Sequence, residues 1–276
     1  MTVPKGHRAL VERNIREAEA RGDFNCDVDP HSDADAYPVT AAFPYLKKGW
    51  KRIGSALLRQ FAIKPFAAWE TRAVERLKVT GRRNLKGIPA AIVVCNHVYM
   101  FDCLACKKAV GPRRTVVAAA GFNNLKGRLG ALMRADGMLP LNLCDLKALR
   151  NFETAVSYYL AHRNYVLFFP EQSLWRYYPK PRPFKSGAFR FAVANRVPVI
   201  PVFLSFRPSG KKDAEGFPTY YTTAHILKPV FPDPGPDAAK STRELKDAAF
   251  ARFAAAYEEA YHRPYRPGAE KEDAHV

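Results

Sequence analysis

The feature that most constrains the fold is a regular alternation, from residue 77 onward, of short apolar runs with longer amphipathic stretches. The short runs are rich in β-branched residues and have the length of buried strands: 90–95, 115–119, 138–141, 165–169 and 197–203. The stretches between and after them have apolar residues at helical spacing: 102–109, 125–135, 145–162, 187–194 and 242–262. Alternation of this kind is typical of α/β domains. We therefore predict a mixed β-sheet flanked by helices over residues 77–276, with a helix at its C-terminal end.

The charge of the chain narrows the choice of partner. Forty-four Lys and Arg against 26 Asp and Glu give a formal net charge of +18. Such an excess predicts an anionic partner, which is a nucleic acid, an anionic membrane surface or a phosphorylated substrate. The five cysteines, an odd number, argue against an extracellular disulfide framework and favour a reducing cytosol.

Residues 1–46 are predicted to form an acidic, mobile arm. Between Glu12 and Asp35 eight acids stand against three bases, and no apolar run of a signal peptide is present. We therefore expect no secretory leader.

Residues 47–76 are predicted to form a basic helical hairpin. From Lys47 to Lys86 twelve Lys and Arg stand against two acids, a net +10. Apolar residues recur at helical spacing on both sides of Pro65: Trp50, Ile53, Leu57, Leu58 and Phe61 before it, and Phe66, Trp69, Ala73 and Leu77 after it. The proline is expected to separate two amphipathic helices.

Two interpretations of this hairpin are open. It could lie on an anionic membrane through Trp50, Phe61 and Trp69, with its bases toward the headgroups. It could equally pack on the core and expose a basic face, because such a stripe is common in globular proteins. No apolar run reaches the ~18 residues of a spanning helix, so the first interpretation predicts a cytoplasmic protein bound peripherally to the inner face of the membrane.

The segment with the most chemical information is residues 96–102, where a buried strand ends and a helix begins. Active sites of α/β folds lie at such positions. If Asp102 lies in the first turn of the helix, its carboxylate can orient His97 and support the imidazolium that forms when His97 takes a proton. His97 is then a general base for a hydroxyl. The alternative is that the two residues are cap and core groups without a chemical role.

Three later segments follow in a fixed order and carry a resemblance. Phe169-Pro170-Glu171 ends a strand, Lys185-Ser186-Gly187 opens a helix, and residues 197–202 form a core strand with two prolines. With His97 and Asp102, they resemble the signature of the glycerolipid acyltransferases of the lysophosphatidic acid (1-acylglycerol-3-phosphate) acyltransferase type. That signature is a His, four residues and an Asp; then Phe-Pro-Glu-Gly-Thr-Arg; then Val-Pro-x-x-Pro-Val. The lead-in from Leu77 to Gly81 is also similar, so the likeness covers residues 77–206, about half of the chain.

The resemblance implies an enzyme of phospholipid biosynthesis that moves a fatty acyl group from an acyl thioester, on coenzyme A or acyl carrier protein, to a hydroxyl of a lipid acceptor. His97 would be the general base and Asp102 its orienting group, with no covalent acyl-enzyme. The residues implied in substrate binding lie between the third motif and the following helix: Glu171, Ser173, Arg176, Arg182, Lys185 and Gly187. A structural alternative for Glu171 is an ion pair with Arg176 or Lys185. The resemblance implies no cofactor and no metal.

Two positions depart from the family pattern. Leu174 stands where an Arg follows Glu-Gly-Thr, and Leu143 stands where an Arg closes the block that resembles residues 137–143. A guanidinium matches phosphate oxygens, and these arginines are the ones linked to the acceptor's phosphate. Either the bases of the next loop (Arg176, Lys180, Arg182 and Lys185) replace them, or the acceptor has another headgroup.

Other signals are interpreted as structural. Cys103 and Cys106 have the spacing of half a zinc site, but no second pair accompanies them, and Cys95 is expected to be a buried, inert thiol. The aromatic run from Trp175 to Tyr178 could be a nucleic-acid stacking platform but is as well explained as an active-site lid, and no recognisable nucleic-acid module surrounds it, so no nucleic-acid partner is expected. A nucleic-acid-binding module and an acyl-thioester hydrolase remain the alternative functions.

Overall fold

A seven-stranded mixed sheet organises the chain in a computed structural model that describes residues 6–29, 35–111 and 115–266. The strands are β1 (Lys78–Thr80), β2 (Ala91–Cys95), β3 (Thr115–Ala120), β4 (Met138–Leu141), β5 (Tyr165–Phe168), β6 (Val199–Lys212) and β7 (Pro218–Ile226). Their order is β1-β7-β6-β2-β5-β3-β4, and every neighbouring pair is parallel except β6 and β7.

In the described part of the chain, eight α-helices accompany the sheet. They are α1 (His7–Arg21), α2 (Gly49–Leu58), α3 (Lys64–Trp69), α4 (Asp102–Val110), α5 (Gly127–Ala135), α6 (Leu146–Ala161), α7 (Gly187–Ala194) and α8 (Ala238–Tyr261). The predicted α/β class and the mixed sheet flanked by helices are confirmed. Within the described ranges, no helix combines the length and the apolar character that crossing a bilayer requires.

Strand β2 lies in the middle of the sheet and is covered on both faces. Its side chains alternate: Ile92 and Val94 join the core formed with α6, α7 and α8, whereas Val93 and Cys95 join the core formed with α4. All five residues of β2 have no solvent exposure. A strand buried on both faces reads as a continuous apolar run, which is why this strand was evident in the sequence.

The antiparallel edge of the sheet was not predicted. Strand β6 continues to Lys212 and turns back into β7, on which the short β1 pairs. Gly81, which ends β1, has φ 75°, and a Cβ there would lie 2.0 Å from the carbonyl oxygen of Ile226. This close approach requires glycine.

The hairpin predicted for residues 47–76 is not formed. Helix α2, a π-helical segment (Arg59–Ile63), helix α3 and a second π-helical segment (Glu70–Val74) follow one another without a turn, since the joining residues are all right-handed helical. Pro65 lies in the first turn of α3, where its missing N–H costs little, and the preceding π segment absorbs the irregularity. Residues 49–74 therefore form one long helix.

The long helix does not bury the predicted apolar stripe. Trp50, Phe61 and Trp69 are 85%, 75% and 57% exposed. Its described buried residues are only Ile63, Glu70 and Thr71. Packing of this stripe on the core, the second interpretation of the segment, does not occur.

The N-terminal arm, expected to be mobile, holds a packed helix in its described part, residues 6–29 and 35–46. Val11, Ile15 and Ala18 of α1 are buried and form a small core with Trp175 and Tyr178. The prediction of a mobile arm rested on the acidic composition and overlooked that these three apolar residues recur at helical spacing on one face of α1. Residues 1–5 and 30–34 of the predicted arm lie outside the described residues.

Candidate active site

The site lies at the carboxyl ends of two parallel neighbours, β2 and β5. Asn96 follows β2, and its side-chain amide donates to the Leu204 carbonyl (2.9 Å) and accepts from the Leu204 N–H (2.8 Å). This pairing fixes the chain against β6 at the residue before His97. Phe169 follows β5, and its ring stacks on the His97 imidazole with 4.2 Å between the centroids.

His97 and Asp102 are in direct contact, as the spacing predicted. The Nδ1 atom of His97 lies 2.7 Å from Oδ2 of Asp102, which is buried at the start of α4. The same oxygen accepts the N–H groups of Val98 (3.1 Å) and Tyr99 (3.4 Å). Since Asp102 accepts at Nδ1, the proton is on Nδ1 and Nε2 is the basic nitrogen.

Glu171 is fully buried and pairs with a residue that the sequence did not suggest as its partner. Its Oε2 lies 2.9 Å from Nη2 of Arg182, which is also fully buried, and its Oε1 accepts the N–H of Arg182 at 2.9 Å. Oε2 also accepts the N–H of His97 at 3.2 Å. The ion pair expected with Arg176 or Lys185 is therefore made by Arg182 instead. Burial lowers the pKa of Arg182, and the charge of Glu171 opposes that shift.

The loop from residue 171 to residue 186 runs along the His97 segment. The N–H of Trp175 donates to the His97 carbonyl (3.0 Å), and the N–H of Tyr177 donates to the Val98 carbonyl (2.7 Å). Ser173 is buried, and its carbonyl accepts a hydrogen bond from Arg182. The loop is thus held against the segment that contains His97.

The remaining predicted binding residues lie nearer the surface. Arg176 is half-buried with its guanidinium over the Tyr177 ring (5.5 Å), whereas Lys185 and Gly187 are exposed at the start of α7. Lys180 pairs with Glu19 of α1 at 3.4 Å. The structure thus brings together His97, Asp102, Glu171, Ser173 and Arg182, and leaves Arg176, Lys185 and Gly187 around them.

A second group of titratable residues adjoins the site and was missed. The hydroxyl of Tyr99 donates to Oε1 of Glu70 (2.7 Å), and burial raises the pKa of the Glu70 carboxyl. Burial, and next the charge of Glu70, raise the pKa of Glu75 to about 8. A signal was present in the sequence, because Glu70 and Glu75 are the two acids of an otherwise basic segment.

The N-terminal arm also reaches the site, a contact that no sequence pattern indicates. The Asn25 side-chain amide donates to the carbonyls of Glu171 (3.2 Å) and Pro183 (3.0 Å). The carbonyl of Phe24 accepts from Arg182 (3.0 Å), and that of Cys26 accepts from the Trp175 indole (3.1 Å). Residues 24–26 therefore fasten the loop from outside.

Two of the weaker sequence signals can now be located. Trp175 is fully buried and Tyr178 nearly so, which leaves neither ring free to stack on a base. Burial raises the pKa of the Cys95 thiol, and raises that of Cys103 to about 12, so both are protonated at neutral pH. Among the described residues, no group of three or more His, Cys, Asp or Glu is arranged to hold a metal ion.

Comparison with known proteins gives two findings. Residues 76–205 match the protein-family model named Acyltransferase. The fold is similar to the crystal structure of the 1-acyl-sn-glycerophosphate (LPA) acyltransferase PlsC from Thermotoga maritima, with a TM-score of 0.55 and 20% sequence identity over 79% of this chain and 90% of that one. No curated protein sequence matches this chain.

Proposed function

We propose that this chain, whose residues 76–205 match the Acyltransferase family model, is a glycerolipid acyltransferase that transfers a fatty acyl group from an acyl thioester to a hydroxyl of a lysophospholipid or a related lipid. The observation that carries the proposal is the 2.7 Å contact between His97 and the buried Asp102. The similar fold of a glycerophosphate acyltransferase agrees with it.

The proposed reaction is a direct transfer. Nε2 of His97 takes the proton of the acceptor hydroxyl as its oxygen attacks the thioester carbonyl carbon. The tetrahedral intermediate collapses, the carbon–sulfur bond breaks, and the imidazolium returns the proton to the departing thiolate. Asp102 keeps Nε2 in its basic form and stabilises the imidazolium, because its carboxylate is held by two main-chain N–H groups as well as by His97.

The loop of residues 171–186 contains four bases, and their ion pairs indicate which of them can contact the acceptor headgroup. Arg182 and Lys180 are each paired with an acid, Glu171 and Glu19 respectively. Arg176 is half-buried and Lys185 is exposed, and neither forms an ion pair with an acid among the described residues, so we assign to them the contact with an anionic acceptor headgroup. Replacing both with Ala is then expected to raise the acceptor KM while kcat changes little.

We further propose that the long helix lies on an anionic membrane surface. Its exposed Trp50, Phe61 and Trp69 provide apolar and amphipathic side chains, and its bases favour anionic headgroups. The helix is joined to the site through Glu70 and through the Phe66 ring, which packs on Phe101 at 5.4 Å between centroids. A lipid acceptor would then be taken up from the surface on which the helix lies.

The test is an acyl-transfer assay with radiolabelled palmitoyl-coenzyme A or palmitoyl-acyl carrier protein. The acceptors are lysophosphatidic acid, lysophosphatidylglycerol, glycerol phosphate and a non-phosphorylated amphiphile, and His97→Ala is run beside the unaltered protein. Label in one acceptor, dependent on His97, is the expected result. Release of free palmitate without transfer would indicate a thioester hydrolase. If neither transfer nor release of palmitate is seen, the proposal is contradicted.

A further inference from the structure

The main chain of His97 is held from both sides by two buried charged residues. Its N–H donates to Oε2 of Glu171 (3.2 Å), and its carbonyl accepts from Nη2 of Arg182 (3.2 Å). The two side chains are joined to each other at 2.9 Å. The peptide groups of the base residue and the ion pair therefore form one closed set of contacts.

Both carboxylate oxygens of Glu171 and both Nη atoms of Arg182 are engaged inside the protein, whereas the buried Nε of Arg182 has no hydrogen-bond partner in the described part of the chain. Both residues have no solvent exposure. Besides Glu171 and His97, Arg182 donates to the carbonyls of Ser173 and Phe24. An acceptor phosphate could reach this guanidinium only if several of these contacts broke, which would leave the Glu171 carboxylate buried without its counter-ion.

We propose that Arg182 is a positioning residue for His97 and does not bind the acceptor. Together with Glu171, it fixes the His97 main chain so that the imidazole keeps Nδ1 on Asp102 and presents Nε2 to the substrate. The inference rests on the proposed role of His97 as the base. It differs from the expectation that Arg182 replaces the arginines missing at positions 143 and 174.

The discriminating variants are Arg182→Met and Arg182→Lys, with Tyr178→Phe as the matched control. Tyr178 lies in the same loop and donates to Glu19 (2.8 Å), so its variant removes one hydrogen bond of the loop, keeps the packing of the ring on Trp175 and removes no contact to His97. Lysine keeps the charge and can still pair with Glu171, but its single nitrogen cannot replace the two Nη atoms that reach the Phe24 carbonyl and the His97 and Ser173 carbonyls. If Arg182→Met fails to fold, Arg182→Lys carries the test.

The kinetic readout separates positioning from binding. A small displacement of the base costs about 100-fold in rate, so kcat should fall about 100-fold in both variants with the acceptor KM within about twofold of its original value. Tyr178→Phe should leave both constants unchanged. A raised acceptor KM with kcat retained would mean that Arg182 binds the acceptor, and it would overturn the proposal.

A second readout does not depend on turnover. The proton on Nδ1 of His97 should give a downfield imidazole resonance in the NMR spectrum, assigned by its loss in His97→Ala. We expect this resonance to broaden or shift in both Arg182 variants and to persist in Tyr178→Phe. If it stays in place while only the melting temperature falls, Arg182 is merely structural. If the unaltered protein transfers no acyl group, the proposed function fails, and the resonance still decides whether Arg182 positions His97.

Discussion

The Tyr99 hydroxyl donates a 2.7 Å hydrogen bond to the carboxylate of Glu70, and this bond links the loop between His97 and Asp102 to the long helix. The Tyr99 ring also stacks on Tyr177, with 5.6 Å between centroids. Tyr99 thus connects the long helix, the loop between His97 and Asp102 and the loop that follows Glu171.

Tyr99→Phe tests this connection. The change leaves the buried Glu70 without its donor, so the free energy of unfolding should fall by about 1–3 kcal/mol. Urea unfolding measures the loss. Tyr158→Phe is the control, since Tyr158 is a half-exposed tyrosine on α6 that is remote in sequence, and a loss of equal size in both variants would contradict the prediction.

Glu75 should make stability fall as the pH rises. Burial raises the pKa of this carboxyl from its ordinary 4.5 to about 8. Between these values the folded protein holds a proton that the unfolded chain has lost, so the Glu75 contribution is fully present below 4.5 and is lost as the pH rises to about 8. The slope for one group is at most about 1.4 kcal/mol per pH unit.

Glu75→Gln isolates that contribution. Glutamine cannot ionise, so the variant should gain stability relative to the unaltered protein at pH 9 compared with pH 5, measured by urea unfolding at both values. A stability difference that does not change with pH would show that Glu75 does not titrate in this range. Glu70→Gln, measured in parallel, separates the effect of the neighbouring carboxyl, whose pKa burial also raises.

Substitutions of His97 and of Asp102 should lower kcat by different amounts. His97→Ala removes the base and is expected to lower kcat by at least about 10²–10⁴-fold. Asp102→Asn can still contact the imidazole but favours the wrong tautomer, so it should leave residual activity. Circular dichroism checks that both variants are folded, and a fully active His97→Ala enzyme would contradict the proposed mechanism.

Exposed aromatics on the long helix should bind vesicles without stabilising the fold. Replacing Trp50, Phe61 and Trp69 with Ser should release the protein from anionic vesicles in a flotation assay, while each change alters stability by no more than about 0.5 kcal/mol. Phe231→Ser is the control, because Phe231 is 67% exposed in a segment outside the long helix. Retention of vesicle binding by the triple variant would mean that another surface carries the membrane contact.

Raising the salt concentration should weaken vesicle binding by the unaltered protein only in part, since apolar contacts are not screened.

Restoring an arginine at position 143 should favour phosphate-bearing acceptors. Leu143 is 67% exposed, so Arg fits there without disturbing the core. Leu143→Arg is expected to lower the KM for a phosphorylated acceptor and to leave the KM for a neutral amphiphile unchanged. Leu143→Gln controls for size and polarity. Equal changes in KM for both acceptors would show that the position does not face the headgroup.

The features that the sequence predicts correctly are those that depend on neighbouring residues in the chain. The strand that ends at Cys95 is a continuous apolar run because both of its faces are buried, and the contact between His97 and Asp102 spans only a loop and one helix start. Strand β7 lacks such a run, because it lies beside the short edge strand β1 and its burial is uneven. Pro65 was interpreted as a break because the π segment before it has no sequence signature.

Contacts between distant segments could not be predicted. Nothing near Glu171 marks Arg182 among the four bases of the loop as its partner, since the choice depends on how the loop folds back on itself. In the same way, α1 carries three small apolar positions whose partner, Trp175, lies far along the chain. Local periodicity indicates that a helix face is apolar, and the partner of that face is determined by the tertiary fold.

The contacts of residues 24–26 with the loop limit how far the chain can be shortened from its N-terminal side. A fragment starting at Lys47 would keep every motif of the acyltransferase signature, yet it would expose the Trp175 indole and remove the carbonyl that Phe24 offers to Arg182. Such a fragment should be far more sensitive to protease in the loop, and slower in turnover, than the whole chain. The smallest fragment that folds like the whole chain should therefore be longer than the stretch that matches the family model, because α1 and residues 24–26 hold the loop of residues 171–186 in place from outside that stretch.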